Sequence, residues 1–224
     1  MAILSIPKRQ YAALRKLSAL SEAQFEELVN GLNSIKASLS PFDFCQSLSE
    51  KTKSIPLDDI KHLVGMLCGL YPAKENNKKT ASEISHDLRE TLEEEKPANF
   101  PPDKFEALED RMLKLLSIDK AIAVTAKAQD IVTDHAHVFC GAKVLSDIRP
   151  VFSASADNVS AAIVVHTLKI GYHEAREHKE FYVAMDKNDL ELLCSVLERA
   201  SKKASQLHEI IEKSGISYLE EGEN

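Results

Sequence analysis

The sequence predicts an α+β protein: a helical N-terminal domain, then a small antiparallel sheet and a long C-terminal amphipathic helix. Three observations carry this. Glycine is scarce, with seven in 224 residues, which disfavours a turn-rich all-β chain. The first hundred residues repeat apolar positions at helical spacing between strong start signals. Residues 144–185 instead hold β-branched and alternating runs, and an unbroken three-four apolar repeat follows them.

The helical starts are specific. Ser21-Glu22-Ala23-Gln24 has the form of a capping box, with Leu20 and Phe25 placed as a hydrophobic staple. Phe25, Leu28, Val29 and Leu32 then line one face. Ser40-Pro41 places proline at the first helical position, where its missing N–H costs nothing. Ile55-Pro56 opens a third helix with the stripe Ile60, Leu63, Val64 and Leu67, and Tyr71-Pro72 is expected to end it. Within it, Gly65 and Gly69 suggest close helix packing. Lys74–Lys79 reads as a polar loop. Thr80-Ala81-Ser82-Glu83 is a second capping box, leading to Ile84, Leu88 and Leu92. Glu93-Glu94-Glu95 opposes the helix dipole, so fraying is expected there.

Residues 97–102 (PANFPP) are the clearest break and are expected to link a helical domain, 1–96, to a second unit, 103–215. That unit opens on a helix from Asp103, with Phe105, Leu108, Met112, Leu115 and Leu116 in register, expected to stop near Ala136. Val144–Phe152 holds Pro150, which suits an edge strand. After the polar loop Ser153–Ser160, Ala161–Tyr172 is the strongest strand. It is apolar at Ile163 and Val165 on one alternation, and at Val164, Leu168 and Ile170 on the other. His173–His178 reads as a charged turn, and Lys179–Met185 as a third strand pairing antiparallel with the second. Asp186 caps the last helix. There Leu190, Leu193, Leu197, Ala200, Ala204, Leu207 and Ile211 form a heptad seam closed near Gly215. Residues 216–224 form an acidic tail, expected to be mobile.

Composition narrows function by exclusion. With 28 basic and 35 acidic side chains the net charge is −7, against the basic surface that nucleic-acid binding needs. No apolar run is long enough to cross a membrane, and the N-terminus lacks the pattern of a secretory signal. Cys45, Cys68, Cys140 and Cys194 are irregularly spaced, which suggests free, mostly buried thiols in a reducing, cytoplasmic setting. No cofactor is implied.

The late histidines, His135, His137, His166, His173 and His178, lack zinc-site spacing. Asp134, His137 and Cys140 lie close in sequence, but residues near one helix end rarely adopt a nucleophile geometry. A metal- or thiol-dependent enzyme would rest on this region alone. A helical nucleic-acid-binding regulator would rest on Arg199, Lys202 and Lys203, which read more simply as the solvated side of the last helix. A strand apolar on both faces, in so small a unit, requires cover from the preceding helix or from a second chain.

The segments VLSDIRPVF (144–152), AAIVVHTLKI (161–170), KEFYVAM (179–185) and DLELLCSVLERASKKASQL (189–207), behind a helical N-terminal half, resemble the layout of COMM-domain proteins. The resemblance covers roughly the last eighty residues. It implies a non-enzymatic module that pairs with a second copy or a related chain by interlocking sheet and helix. Val165, Leu168, Ile170, Phe181, Val183, Leu193 and Leu197 would then form the paired core.

Overall fold

The computed structural model describes residues 7, 10–95, 100, 104–174 and 177–219. Its α+β chain divides into two compact units at Val132/Thr133.

The first unit holds seven helices: α1 (Gln10–Ala19), α2 (Glu22–Ser34), α3 (Pro41–Lys51), α4 (Leu57–Asn76), α5 (Ala81–Glu95), α6 (Phe105–Leu116) and α7 (Ala121–Thr133), the last reaching one residue past the division. Their starts follow local chemistry. The Ser21 side chain accepts from the Gln24 N–H, while the Gln24 side chain accepts from the Ser21 N–H. Leu20 and Phe25 are both buried, as a staple requires. Ser40 Oγ accepts from the Asp43 N–H ahead of α3. Thr80 Oγ1 accepts from the Glu83 N–H, and Glu83 Oε2 accepts from the Thr80 N–H at 2.7 Å. That last bond holds the Glu83 carboxyl below its usual range.

The core of this unit is continuous. Leu14, Leu17, Leu28, Leu32, Phe44, Leu48, Ile60, Leu63, Leu67, Ile84, Leu88 and Leu92 are all fully buried. Each belongs to a stripe repeating at three or four residues, so helical periodicity converts directly into a shared interior.

Three features differ from the sequence expectation. First, α4 does not stop at Tyr71-Pro72 but runs through Pro72 to Asn76. Proline costs one backbone bond there, and tertiary contacts beside it hold the last turn. The buried Tyr71 hydroxyl bonds to the carbonyls of Leu115 and Ile118, both at 2.7 Å, and Lys74 Nζ donates to Leu116 O at 3.2 Å. Second, the helix expected over 103–136 is two helices, broken at Ser117–Lys120. The carbonyls freed at the end of α6 are those taken by Tyr71 and Lys74, so the break is satisfied rather than strained. Third, a Cβ at Gly65 would meet nothing within 4 Å, so that glycine marks no close helix contact. α5 closes at Glu95, within the acidic run expected to end it, and Glu95 accepts a hydrogen bond from the Tyr11 hydroxyl. Burial, then this bond, pushes Tyr11 up to about 12.

The domain boundary also moves. The helices α6 and α7 were expected to accompany the strands, yet α6 packs on α5, α1, α4 and α2, and Leu108, Met112, Leu115, Leu116, Ile122 and Ala126 join the helical core. Apolar periodicity does not say which neighbour a stripe faces. The expected linker lies largely outside the described residues; within it, Phe100 is buried with its ring centroid 5.5 Å from that of Phe105.

Tyr71 offers a direct check on the α4–α6 junction. Tyr71→Phe removes the donor serving two buried carbonyls and is expected to cost about 1–3 kcal/mol of stability, read by chemical denaturation. An unchanged midpoint would show that the junction does not depend on this hydroxyl.

The second unit, Thr133–Tyr218, holds β1 (Val138–Phe152), β2 (Val159–Glu174), β3 (Glu177–Met185) and α8 (Lys187–Lys213). The strands form an antiparallel sheet in the order β1-β2-β3, with β1 and β3 as edges. Pro150 thus sits on an edge strand, as its missing N–H requires. β1 begins six residues earlier than its sequence suggests, and a bulge separates Phe139 from Gly141. His173 and His178, read as turn residues, are paired strand residues, while 175–176 lie outside the described residues. Asp186 caps α8 through a capping box with Asp189, and Gly215 follows with φ +72°. The expected tail is described to Leu219; residues 220–224 lie outside the described residues.

Candidate functional site: an uncovered sheet and helix

Register decides what each face of the sheet presents. Across the three strands, Val144, Leu168 and Val183 lie in one row, and Ala142, Ile170 and Phe181 in the next. Ile148 opposite Val164 and Pro150 opposite Ala162 extend the same face along β1 and β2. This face is apolar over most of its length.

The opposite face is mixed. Val165 pairs with Asp147, Ile163 with Arg149, and Lys169 lies between Lys143 and Tyr182. Lys169 Nζ also reaches Glu180 Oε1 at 2.6 Å. The two-faced apolar character of β2 therefore belongs to that strand alone. In the sheet, one face is apolar and the other is diluted by charges from both neighbours.

The expected interface residues divide accordingly. Leu168, Ile170, Phe181 and Val183 are brought together on the apolar face, whereas Val165 lies on the other. Leu168 and Ile170 are half-buried, and Phe181 and Val183 are exposed. On α8, Leu193 is half-buried and Leu197 is 59% exposed. The sequence groups Val164 with Leu168 and Ile170 but does not place it in the interface set, and it leaves Val144 and Ile148 without a face. The alternation within 144–148 carried that signal, but only register assigns it to a face.

The helix does not cover the sheet. Its 27 residues span about 40 Å, yet none of them is buried. Leu192, Val196, Leu197, Leu207 and Ile210 are all exposed. Among the described residues of this unit, the only buried side chain is Met185. Ile148 is 75% exposed and Val164 57%.

Near the start of β1 the apolar face is aromatic. His137, Phe139, Ile170, Tyr172 and Phe181 line a shallow depression of about 300 Å³. The Tyr172 ring meets His137 edge-on at 4.8 Å and Phe181 at 6.0 Å. His137 Nε2 lies 3.7 Å from Glu174 Oε1. Glu174 also accepts from Lys179 at 2.6 Å, which holds its carboxyl below the usual range.

The His135–Cys140 region does not form a catalytic constellation. His137 lies beside Tyr172 on the apolar face. Cys140 Sγ lies 3.3 Å from where a Cβ on Gly171 would sit, on the face that Gly171 shares with His173 and His178. Cys140 is the extra residue of the bulge and lies on the face of the sheet opposite His137. Among the described residues, no three His, Cys, Asp or Glu side chains are gathered to hold a metal ion. His166 Nδ1 is 2.7 Å from Ser146 Oγ.

The cysteines are free but not mostly buried, contrary to expectation: Cys45 is buried, Cys68 half-buried, and Cys140 and Cys194 exposed. Burial pushes Cys45 up to about 11 and Cys68 up to about 12, which leaves both as unreactive thiols at neutral pH. Among the described residues, no helix is long and apolar enough to cross a membrane.

Neither a protein-family model nor a curated sequence matches the chain.

Proposed function

We propose that this chain is a non-enzymatic assembly protein whose C-terminal β-β-β-α unit associates with a second copy of itself, or with a related chain of the COMM-domain type. One observation carries the reading: the unit leaves both an apolar sheet face and a helical heptad seam largely without cover, and among its described residues only the side chain of Met185 is buried. Neither element supplies a core by itself. A three-stranded sheet needs a covered apolar face to be stable, and a heptad seam gains its energy only against a facing surface.

Each surface suits the other. The seam of Leu190, Leu193, Leu197, Ala200, Ala204, Leu207 and Ile211 carries large side chains at both ends with two alanines between them. The sheet offers Val144, Ile148, Val164, Leu168, Ile170, Phe181 and Val183. Exchange of helix for sheet across a two-fold axis would bury both at once, and such isologous contacts are the commonest way to close a dimer. The resemblance to COMM domains points the same way. No part of the reading uses a substrate or cofactor, and the partner's chemistry is that of a matching apolar sheet and helix.

Leu197→Asp tests the helical half of this interface. Leu197 is exposed in the single chain, so the substitution spares the fold. Loss of a buried leucine and burial of a charge are expected to weaken association by about 3 kcal/mol or more, over a hundredfold. Sedimentation velocity against the unsubstituted chain reads the change. Equal affinity in the two proteins would remove α8 from the interface.

A further inference from the structure

The apolar face carries an ionisable side chain in its central stretch. His166 stands between Ser146 on β1 and Met185 on β3, and its Nδ1 lies 2.7 Å from Ser146 Oγ. Val164 and Leu168 flank it on the same face of β2, with Ile148 and Val144 opposite them on β1. His166 is half-buried in the single chain. A surface that covers both Val164 and Leu168 must also exclude water from the imidazole between them.

Among the described residues, no opposite charge is paired with the ring. On its own face β1 offers Ala142, Val144, Ser146 and Ile148, and β3 offers Val183 and Met185. Lys143, Asp147 and Arg149 belong to the other face. At the start of α8, the Asp186 and Asp189 carboxylates accept from backbone N–H groups of the capping box. Lys187 Nζ there lies 3.6 Å from Glu191 Oε1. The charged groups of the apolar face, His137, Glu174, Glu177 and Lys179, gather at its far end. Glu174 is about 27 Å along β2 from His166 at ordinary strand rise.

We propose that His166 makes association through the apolar face acid-sensitive: two copies hold together while the ring is neutral and separate when it gains a proton. This switch rests on the self-association proposed above and adds a condition to it. The surface over His166 is the one named there, the α8 seam of a second copy, whose positions are leucine, alanine and isoleucine. A neutral ring can place its single proton on Nδ1, donate it to Ser146 Oγ, and leave Nε2 a bare acceptor. A protonated ring carries a second N–H at Nε2 and a full charge, and beneath an apolar seam neither finds a partner. The covered state therefore binds fewer protons than the free one. Association is then complete above the imidazole range and is lost as pH falls through it, between about 7 and 5. Bulk charge acts with the opposite sign. Acidification reduces the net charge of −7 on each copy, which by itself favours approach.

Sedimentation velocity of the full chain at about pH 7.5 and about pH 5.5 tests it, with circular dichroism following sheet and helix at both. The dissociation constant is expected to rise at least about tenfold at the lower pH, since each covered ring contributes up to about tenfold per pH unit below the imidazole range. His166→Asn keeps a neutral hydrogen-bonding group beside Ser146 and is expected to hold one affinity at both pH values. His166→Phe, which removes the ionisable group altogether, is expected to do the same. His137→Asn, at the far end of the face, is expected to keep the full pH response. An unsubstituted dimer equally tight at both pH values overturns the switch and leaves association standing. So do H166N and H166F chains that weaken on acidification as much as the unsubstituted chain. A monomer at every concentration and both pH values overturns the switch and the association together.

Discussion

Leu168→Asp is expected to abolish self-association while the helical unit stays folded. Leu168 sits in the middle of the central strand, between Val144 and Val183, on the apolar face. It is half-buried in the single chain, so an occluding partner would complete its burial. A carboxylate there must either lose its hydration or keep the partner away. Burial of an unpaired charge costs several kcal/mol, more than one side chain's share of an interface returns. Size-exclusion chromatography with light scattering is expected to move from dimer to monomer, or the C-terminal unit to become insoluble. The helical signal from residues 10–133 is expected to persist. A variant that stays dimeric with unchanged affinity would place the interface elsewhere.

Leu63→Ala should act on stability alone. Leu63 is fully buried in α4, which packs against α1, α3 and α6. The substitution leaves a cavity among side chains that cannot all collapse into it, at a cost of about 2–5 kcal/mol. For a unit of this size that lowers the melting temperature by roughly 6–20 °C. Because the two compact units divide at Val132/Thr133, association through the C-terminal unit is expected to be unchanged while the helical unit remains folded. Loss of both together would show that the units depend on each other.

The contrast between these substitutions follows the contrast between the units. One has a closed interior of more than a dozen fully or nearly fully buried side chains. The other has extended strands and a long helix, and buries Met185. Its elements are ordinary in their local chemistry. What they lack is a facing surface.

Local signals were the most legible part of the chain. Ser21, Ser40, Thr80 and Asp186 each cap the helix that its sequence announces, because a cap involves only neighbours within three residues. The antiparallel pairing of the second and third strands was legible for the same reason. Features that depend on distant partners were not. Pro72 remains helical because Tyr71 and Lys74 find carbonyls more than forty residues away. The helix predicted over 103–136 breaks at Ser117–Lys120 where those same contacts satisfy its end.

The faces of the central strand were legible, but not what its neighbours add to them. Leu168, Ile170, Phe181 and Val183 share one face, while Val165, on the other alternation already in the sequence, lies beside Asp147 on the opposite face. Alternation along one strand cannot show what its neighbours contribute to each face. Helical spacing likewise identified the α8 seam but could not show that it lies uncovered.

In the proposed assembly a second chain completes the C-terminal unit. Light scattering across a concentration series from submicromolar to tens of micromolar tests it most directly. A rise from one chain's 24.9 kDa toward twice that mass is expected, together with slowed exchange of β2 amides. A monodisperse species of 24.9 kDa throughout, with sheet and helix intact, would contradict it.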